Sequence, residues 1–246
     1  MDQDENIYSR ITEILGHKPQ NFSILEEQID LDVQMEYFEF SRNMNHSNDV
    51  LALPEKKELL YNPAADKSVK KEILARLAFS DEIEAFRLLQ AYVRHGDKEL
   101  RDWAILAMQE CRVLIESKLL DENQIFISTG LGGKGFKLRY FIVLLLRPNK
   151  RMTPLREKII LNETEAIFKK HTIDTESVRF TGRFVTLLVM IPLDITIRSV
   201  FDEIISVCNY YGNFLQEDFV VTNVRILTDS EIKKFNRKKI TPVNRD

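Results

Sequence analysis

Sulfur and histidine are scarce in this chain. Cys111 and Cys208 are the only cysteines, far apart and each inside an apolar pattern of helical spacing. That excludes a disulfide or Cys-based metal framework and fits buried thiols in a reducing compartment. His17, His46, His95 and His171 fall in loops or at helix ends, and no H-E-x-x-H, C-x-x-C or G-x-S-x-G sequence occurs. Glu163 and Glu165 are two apart and so do not share a helix face. No catalytic residue, metal ligand or cofactor is assigned on this basis.

Long apolar runs are missing too. Tyr140–Leu146 and Phe184–Leu193 are the longest, well short of the roughly 18 residues a membrane helix needs. The opening MDQDENIYSR is acidic and lacks the apolar stretch of a secretory signal. The expectation is a cytoplasmic protein with no membrane partner. The rest is ordinary for a folded chain: 44% hydrophobic and 30% charged residues over 246 positions, enough for one large domain or two modest ones.

The net charge of -3 hides an asymmetry. Residues 1–122 carry 15 Lys and Arg against 25 Asp and Glu, whereas residues 123–246 carry 20 against 13. A basic C-terminal half suits phosphate-bearing partners, and it equally suits ordinary solvated faces.

Near the N-terminus Ile7, Ile11, Ile14 and Leu15 recur at helical spacing, with Gly16 placed to stop a helix. Ile29, Leu31, Val33, Met35 and Tyr37 then alternate with Asp30, Asp32, Gln34 and Glu36. That period of two predicts a half-buried strand with an acidic outer face. Leu25, Ile29 and Phe38 share a helical face, which keeps a helix over residues 28–38 as the alternative. Residues 41–66, rich in Asn, Asp and Pro, read as a loop with one short helical turn and close a first segment, 1–66.

Residues 67–122 are strongly helical. Val69, Ile73, Leu74 and Leu77 form one apolar face, and Ile83, Phe86, Leu89, Tyr92 and Val93 a second. Gly96 and Asp97 read as the stop of one helix and the N-cap of the next. The next helix carries Leu100, Trp103, Ala104, Ala107, Cys111 and Leu114 inward. With its Gly-Asp turn and the D-x-x-L-R-x-x-A run of Asp97, Leu100, Arg101 and Ala104, the stretch resembles HEAT-like helical repeats, about one and a half units of them. The resemblance implies stacked helix pairs that bury each other's faces.

A short strand signal, Gln124–Ser128, leads to a glycine cluster: Gly130, Gly132, Gly133 and Gly135. Three of these satisfy G-x-G-x-x-G, but a dinucleotide fingerprint needs a helix straight after it, and Leu138–Leu146 reads as a strand. A P-loop is excluded as well, because Lys134 is followed by Gly135. Two readings stay open. One is a tight connection between strands that uses glycine for positive φ. The other is an anion nest, in which these backbone N–H groups with Lys134, Lys137, Arg139 and Arg147 surround a phosphate or carboxylate.

From Leu138 to Thr228 the order is strand, helix, strand, strand, helix, strand, the split βαβ arrangement of ferredoxin-like folds, which host many unrelated functions. The two long apolar runs read as central strands, and Val178–Phe180 and Val220–Leu227 as edges. Thr153 and Pro154 open the first helix; Ile197, Val200, Phe201, Ile204, Cys208 and Tyr211 line the second. An RNA-binding sheet of this kind exposes stacking aromatics, whereas Tyr140, Phe141 and Phe184 sit in runs expected to be buried, without an RNP1 pattern. Beyond the sheet, Thr228 and Glu231 have capping-box spacing. Lys233, Lys234, Arg237, Lys238 and Lys239 follow; with Arg147, Lys150 and Arg151 they offer cations for phosphates, though a solvated terminal helix is the plainer account.

The sequence therefore predicts an α+β protein, an N-terminal HEAT-like helical region followed by a ferredoxin-like β-α-β-β-α-β domain over 123–246. The function expected is a non-catalytic intracellular adaptor for a protein partner, self-association as a homodimer included. The alternative is an anion-binding module for nucleic acid, a nucleotide or a small acidic effector at Gly130–Arg139.

Overall fold

The structure, a computed structural model, describes residues 6–15, 21–44, 51–121 and 124–240, with side chains up to residue 235. The expectations at Gly16, His17 and His46 and for the side chains of Arg237, Lys238 and Lys239 lie outside the described residues. The protein is α+β. It forms two compact units, Met1–Gln20 with Thr129–Asp246, and Asn21–Ser128. These cut across the composition boundaries at 66 and 122. The physical reason is pairing between distant segments. α1 (Ile7–Leu15) is tied to the C-terminal sheet by the Tyr8 amide, which donates to the Leu193 carbonyl at 3.0 Å. β1 (Phe22–Ile24) pairs in parallel with β2 (Ile125–Ile127) and so closes residues 21–128 on themselves.

Within that second unit are α2 (Leu31–Asn43), α3 (Leu53–Tyr61), α4 (Lys67–Ala78), α5 (Ile83–His95) and α6 (Arg101–Leu120). The strand expected over residues 29–37 is a helix instead. Asp30 caps it, its carboxylate accepting from the Asp32 amide at 2.8 Å. Gln34, Tyr37 and Ser41, spaced by three and four, are buried, while Met35 is 68% exposed. The alternation was a coincidence of composition, and the helical face of Tyr37 won because it meets Trp103 edge-on at 5.2 Å. The loop expected over 41–66 likewise contains α3, a helix of more than two turns. Ile73, Leu74, Leu77, Leu89, Tyr92, Trp103 and Cys111 are buried as the apolar spacing requires, but Val69, Ile83 and Leu114 are exposed. Asp97 caps nothing with its side chain; it accepts from Lys70 at 2.7 Å and from the Tyr92 hydroxyl at 3.2 Å.

The first unit holds β3 (Gly133–Lys134), β4 (Lys137–Leu146), α7 (Pro154–Lys170), β5 (Asp174–Phe180), β6 (Phe184–Pro192), α8 (Ile197–Tyr210), β7 (Leu215–Thr222) and α9 (Asp229–Ile240). The strands lie in the order β7-β4-β6-β5, with β3 a short addition on β4. β4 and β6 are central and β5 and β7 are edges, as the apolar runs predict. On one face, Phe168 of α7 meets Phe201 of α8, which meets Phe219 of β7, at 5.9 and 5.2 Å. The opposite face, formed by Phe141, Val143, Leu145 and Phe184, is covered by Leu131 and by Ile232 of α9. The terminal helix is therefore not simply solvated: Ile232 is fully buried. Its start is fixed by the Thr228–Glu231 capping box, in which the Thr228 amide donates to Glu231 at 2.9 Å.

Candidate functional site

The residues singled out in the sequence do not converge. Gly130 to Arg139 lie at the end of the sheet where β4 begins, and Arg147 lies where β4 ends, roughly 30 Å away for a ten-residue strand. In the glycine segment Gly130, Gly132 and Gly135 each have a backbone reason. A Cβ on Gly130 would stand 1.9 Å from the Val224 carbonyl oxygen. Gly132 has φ 70° and Gly135 φ 60°, the latter in the two-residue turn between β3 and β4. Gly133 pairs with Leu138 in the ladder. The cations are largely matched. Lys137 donates to Asp174 at 2.6 Å, and Arg139 binds Glu176 through Nε and Nη2 at 2.6 and 2.9 Å. Lys134 is exposed and has no carboxylate partner among the described residues.

The other end of the same sheet gathers cations from separate loops. The Leu146 amide donates to the Arg183 carbonyl at 3.0 Å, that of Met152 to Gly182 at 3.2 Å, and that of Arg147 to Phe214 at 2.8 Å. These bonds hold together the β4–α7 loop, the β5–β6 turn and the α8–β7 loop. Arg147 is matched by Glu217 at 3.0 Å. Lys150, Arg151 and Arg183 have no carboxylate partner among the described residues, and Arg151 and Arg183 are exposed. Arg156 lies over the Phe214 ring at 5.3 Å and donates to the Arg151 carbonyl. The N-terminus of α7, capped by Thr153, adds the positive end of its dipole here.

The same end presents aromatic surface. Tyr210 is 88% and Tyr211 56% exposed, their rings 5.7 Å apart and edge to face. The sequence reading placed Tyr211 on the inner face of α8. Instead α8 ends at Tyr210, and the amides of Tyr211, Gly212 and Asn213 turn back onto the carbonyls of Cys208 and Asn209 at 2.7–3.2 Å. That turn swings both rings outward. Arg183, Tyr210 and Tyr211 were missed in the sequence; an exposed Tyr-Tyr-Gly at a helix end beside Lys- and Arg-rich turns was the available signal. Among the described residues no three His, Cys, Asp or Glu side chains are grouped to hold a metal, and no helix is long and apolar enough to cross a membrane.

No family model matches the chain, and no curated protein matches it. Twelve chains of solved structures do match, two of which are as follows. One, from Deinococcus radiodurans R1, is described as a transposase; it matches at 11% identity and TM-score 0.37 over 44% of this chain and 94% of its own. The other is a REP-associated tyrosine transposase bound to a REP hairpin, at 12% identity and TM-score 0.32 over 45% of this chain and 74% of its own. The expectation of a non-catalytic, HEAT-like adaptor is corrected: these two structures are described as transposases, neither as an adaptor or a repeat protein. At these identities and TM-scores the likeness assigns no role to any residue of this chain.

Proposed function

We propose that the protein binds single-stranded nucleic acid at the end of the sheet where β4 and α8 finish. The observation that carries this is the set of unmatched cations, Lys150, Arg151 and Arg183, held together from two loops at the end of the sheet that also exposes the rings of Tyr210 and Tyr211. Single strands are held by such a pairing: cations follow the phosphates, and aromatic rings offer faces on which bases stack. A duplex offers no free base faces to the tyrosines. Glu217 stands at the β7 side of this surface, where it matches Arg147, so the strand's path favours the α7 and β5–β6 side.

Fluorescence anisotropy with a labelled oligonucleotide over a salt series tests this. For wild type, affinity falls steeply with salt. Replacing Lys150, Arg151 and Arg183 together by Ala removes three phosphate contacts and flattens the log–log salt slope by about 2. Tyr210→Ala with Tyr211→Ala weakens binding by about tenfold or more, at an unchanged slope, because stacking contributes about 1–3 kcal/mol per base. Lys134→Ala with Lys137→Ala, at the opposite end, leaves binding as in wild type. Wild-type affinity in the triple variant would overturn the assignment, as would the absence of salt-dependent binding.

A further inference from the structure

A second site lies at the other end of the same unit. A cavity of about 460 Å³ opens between the start of α1, the first turn of α8 and the ends of β6 and β7, a size within the range of about 300–1,000 Å³ usual for small-ligand pockets. Its wall is mostly apolar, with Ile7, Pro192, Ile197, Phe219, Val221 and Val224 on it. Gly130 shapes that wall, since the Val224 backbone comes so close to it that no side chain fits between them.

Asn6, Thr222 and Asn223 also line it, with Asn6 Oδ1 and Thr222 Oγ1 already accepting from the Ser9 and Val224 amides, and two further polar features face the apolar space. Tyr140, on the first central strand, lines the cavity and is only 6% exposed, yet its hydroxyl has no hydrogen-bond partner among the described residues. The Tyr140 oxygen is not sealed within the protein, so on the cavity wall it is open to whatever occupies that space. Burial pushes the Tyr140 hydroxyl above the ordinary tyrosine value, which keeps it protonated and able to donate. The second feature is α8, whose N-cap Thr196 makes no side-chain capping bond, leaving the first-turn amides without that acceptor. Both features are donors. The one ionised side chain on the wall, Arg198, is already matched by Asp202 at 2.9 Å and Asp218 at 3.6 Å, so a charged head group would meet no spare counter-charge.

We infer that this cavity binds a small, uncharged, largely apolar molecule through one carbonyl oxygen, which accepts from the Tyr140 hydroxyl at the start of α8. The apolar body lies against Ile7, Phe219 and Val221. The site is independent of the proposed nucleic-acid surface, at the opposite end of the sheet, and the two succeed or fail separately.

Saturation-transfer NMR with phenylacetamide and phenylacetate as a matched pair tests it on the full chain. Phenylacetamide at millimolar concentration receives saturation and phenylacetate binds more weakly. Tyr140→Phe removes a single oxygen that bonds nothing in the free protein, so melting is not lowered, while phenylacetamide affinity falls about fivefold, one hydrogen bond's worth. Val221→Trp fills the cavity and abolishes binding, and both variants keep wild-type oligonucleotide affinity. Absence of transfer to phenylacetamide overturns the inference. So does unchanged affinity in Tyr140→Phe, tighter binding of the carboxylate, or persistence of binding in Val221→Trp.

Discussion

Glu176 is the extra residue of a bulge in β5, and it is the residue that reaches across β6 to grip Arg139 of β4 through two nitrogens, at 2.6 and 2.9 Å. A bulge re-aims one side chain out of the strand's alternation. Here it turns a carboxylate over a neighbouring strand to span two ladder spacings. Arg139 is 15% and Glu176 34% exposed, so water screens the pair only in part. Arg139→Ala is expected to lower unfolding free energy by about 1–2 kcal/mol, read by urea denaturation. Glu176→Gln should cost less, because one acceptor oxygen survives. Equal stability in Arg139→Ala and wild type would show the pair to be inert.

Gly130 and Gly182 give opposite expectations for the same substitution. Alanine at Gly130 sets its Cβ 1.9 Å from a backbone oxygen, whereas at Gly182 nothing lies within 4 Å. Gly130→Ala is expected to destabilise by about 1–3 kcal/mol or more through forced backbone movement. Gly182→Ala should stay within about 0.5 kcal/mol of wild type. Urea midpoints for the two variants settle the comparison.

High pH acts through buried tyrosines. Burial first, and then the Glu110 carboxylate, holds the Tyr37 hydroxyl well above its ordinary value; burial and Asp97 push Tyr92 up to about 12. A proton held more tightly in the folded chain leaves stability intact below the unfolded value of about 10 and erodes it as pH climbs through the folded one. Stability is therefore expected to be flat up to about pH 10 and to fall towards about 12. Tyr37→Phe, which deletes the 2.6 Å bond to Glu110, should cost about 1–2 kcal/mol at neutral pH. Stability that stays level over that alkaline window would contradict this account.

Low pH acts on the cap of α9. Arg225, and then Thr228, hold the Glu231 carboxyl at about 2, against an ordinary 4.5. A carboxylate with a lowered folded value contributes fully above the unfolded one and loses that contribution as pH falls towards the folded one. Hydrogen exchange in α9 is expected to speed up between about pH 4.5 and 2, and in Glu231→Gln at neutral pH. Exchange in β4 should change much less. Equal protection of α9 in variant and wild type would remove the cap from the account.

The two thiols should be silent. Burial pushes Cys111 up to about 11 and Cys208 up to about 12, and the reactive species is the thiolate. A disulfide reagent at neutral pH is expected to react on the order of a hundredfold or more slowly with the folded chain than with the unfolded one.

Much of the C-terminal unit was legible because its signals are local. Tyr140–Leu146 and Phe184–Ile191 are apolar at nearly every position, and such runs fit only strands covered on both faces. Thr153-Pro154 and Thr228–Glu231 are helix starts written within four residues. Residues 29–37 misled because apolar and polar residues happened to alternate there, while the burial of Gln34, Tyr37 and Ser41 depends on α6, whose residues lie far along the chain. The candidate surface was half legible. Lys150 and Arg151 stood out as cations after a strand, but nothing local showed that Arg183 returns beside them or that Tyr210 and Tyr211 turn outward.

The amino-acid sequence by itself determined the α+β class, the order of strands and helices in the C-terminal unit, the central position of β4 and β6, and the fate of both cysteines. Each follows from composition, periodicity or capping within one element. Tertiary structure alone decided which cations are matched and which are free, that α9 roofs the outer sheet face, that β1 meets β2, and that Tyr140 looks into a cavity without a partner. Those depend on contacts between residues far apart in the chain, where the energy lies in the pairing and neither partner's neighbours announce it.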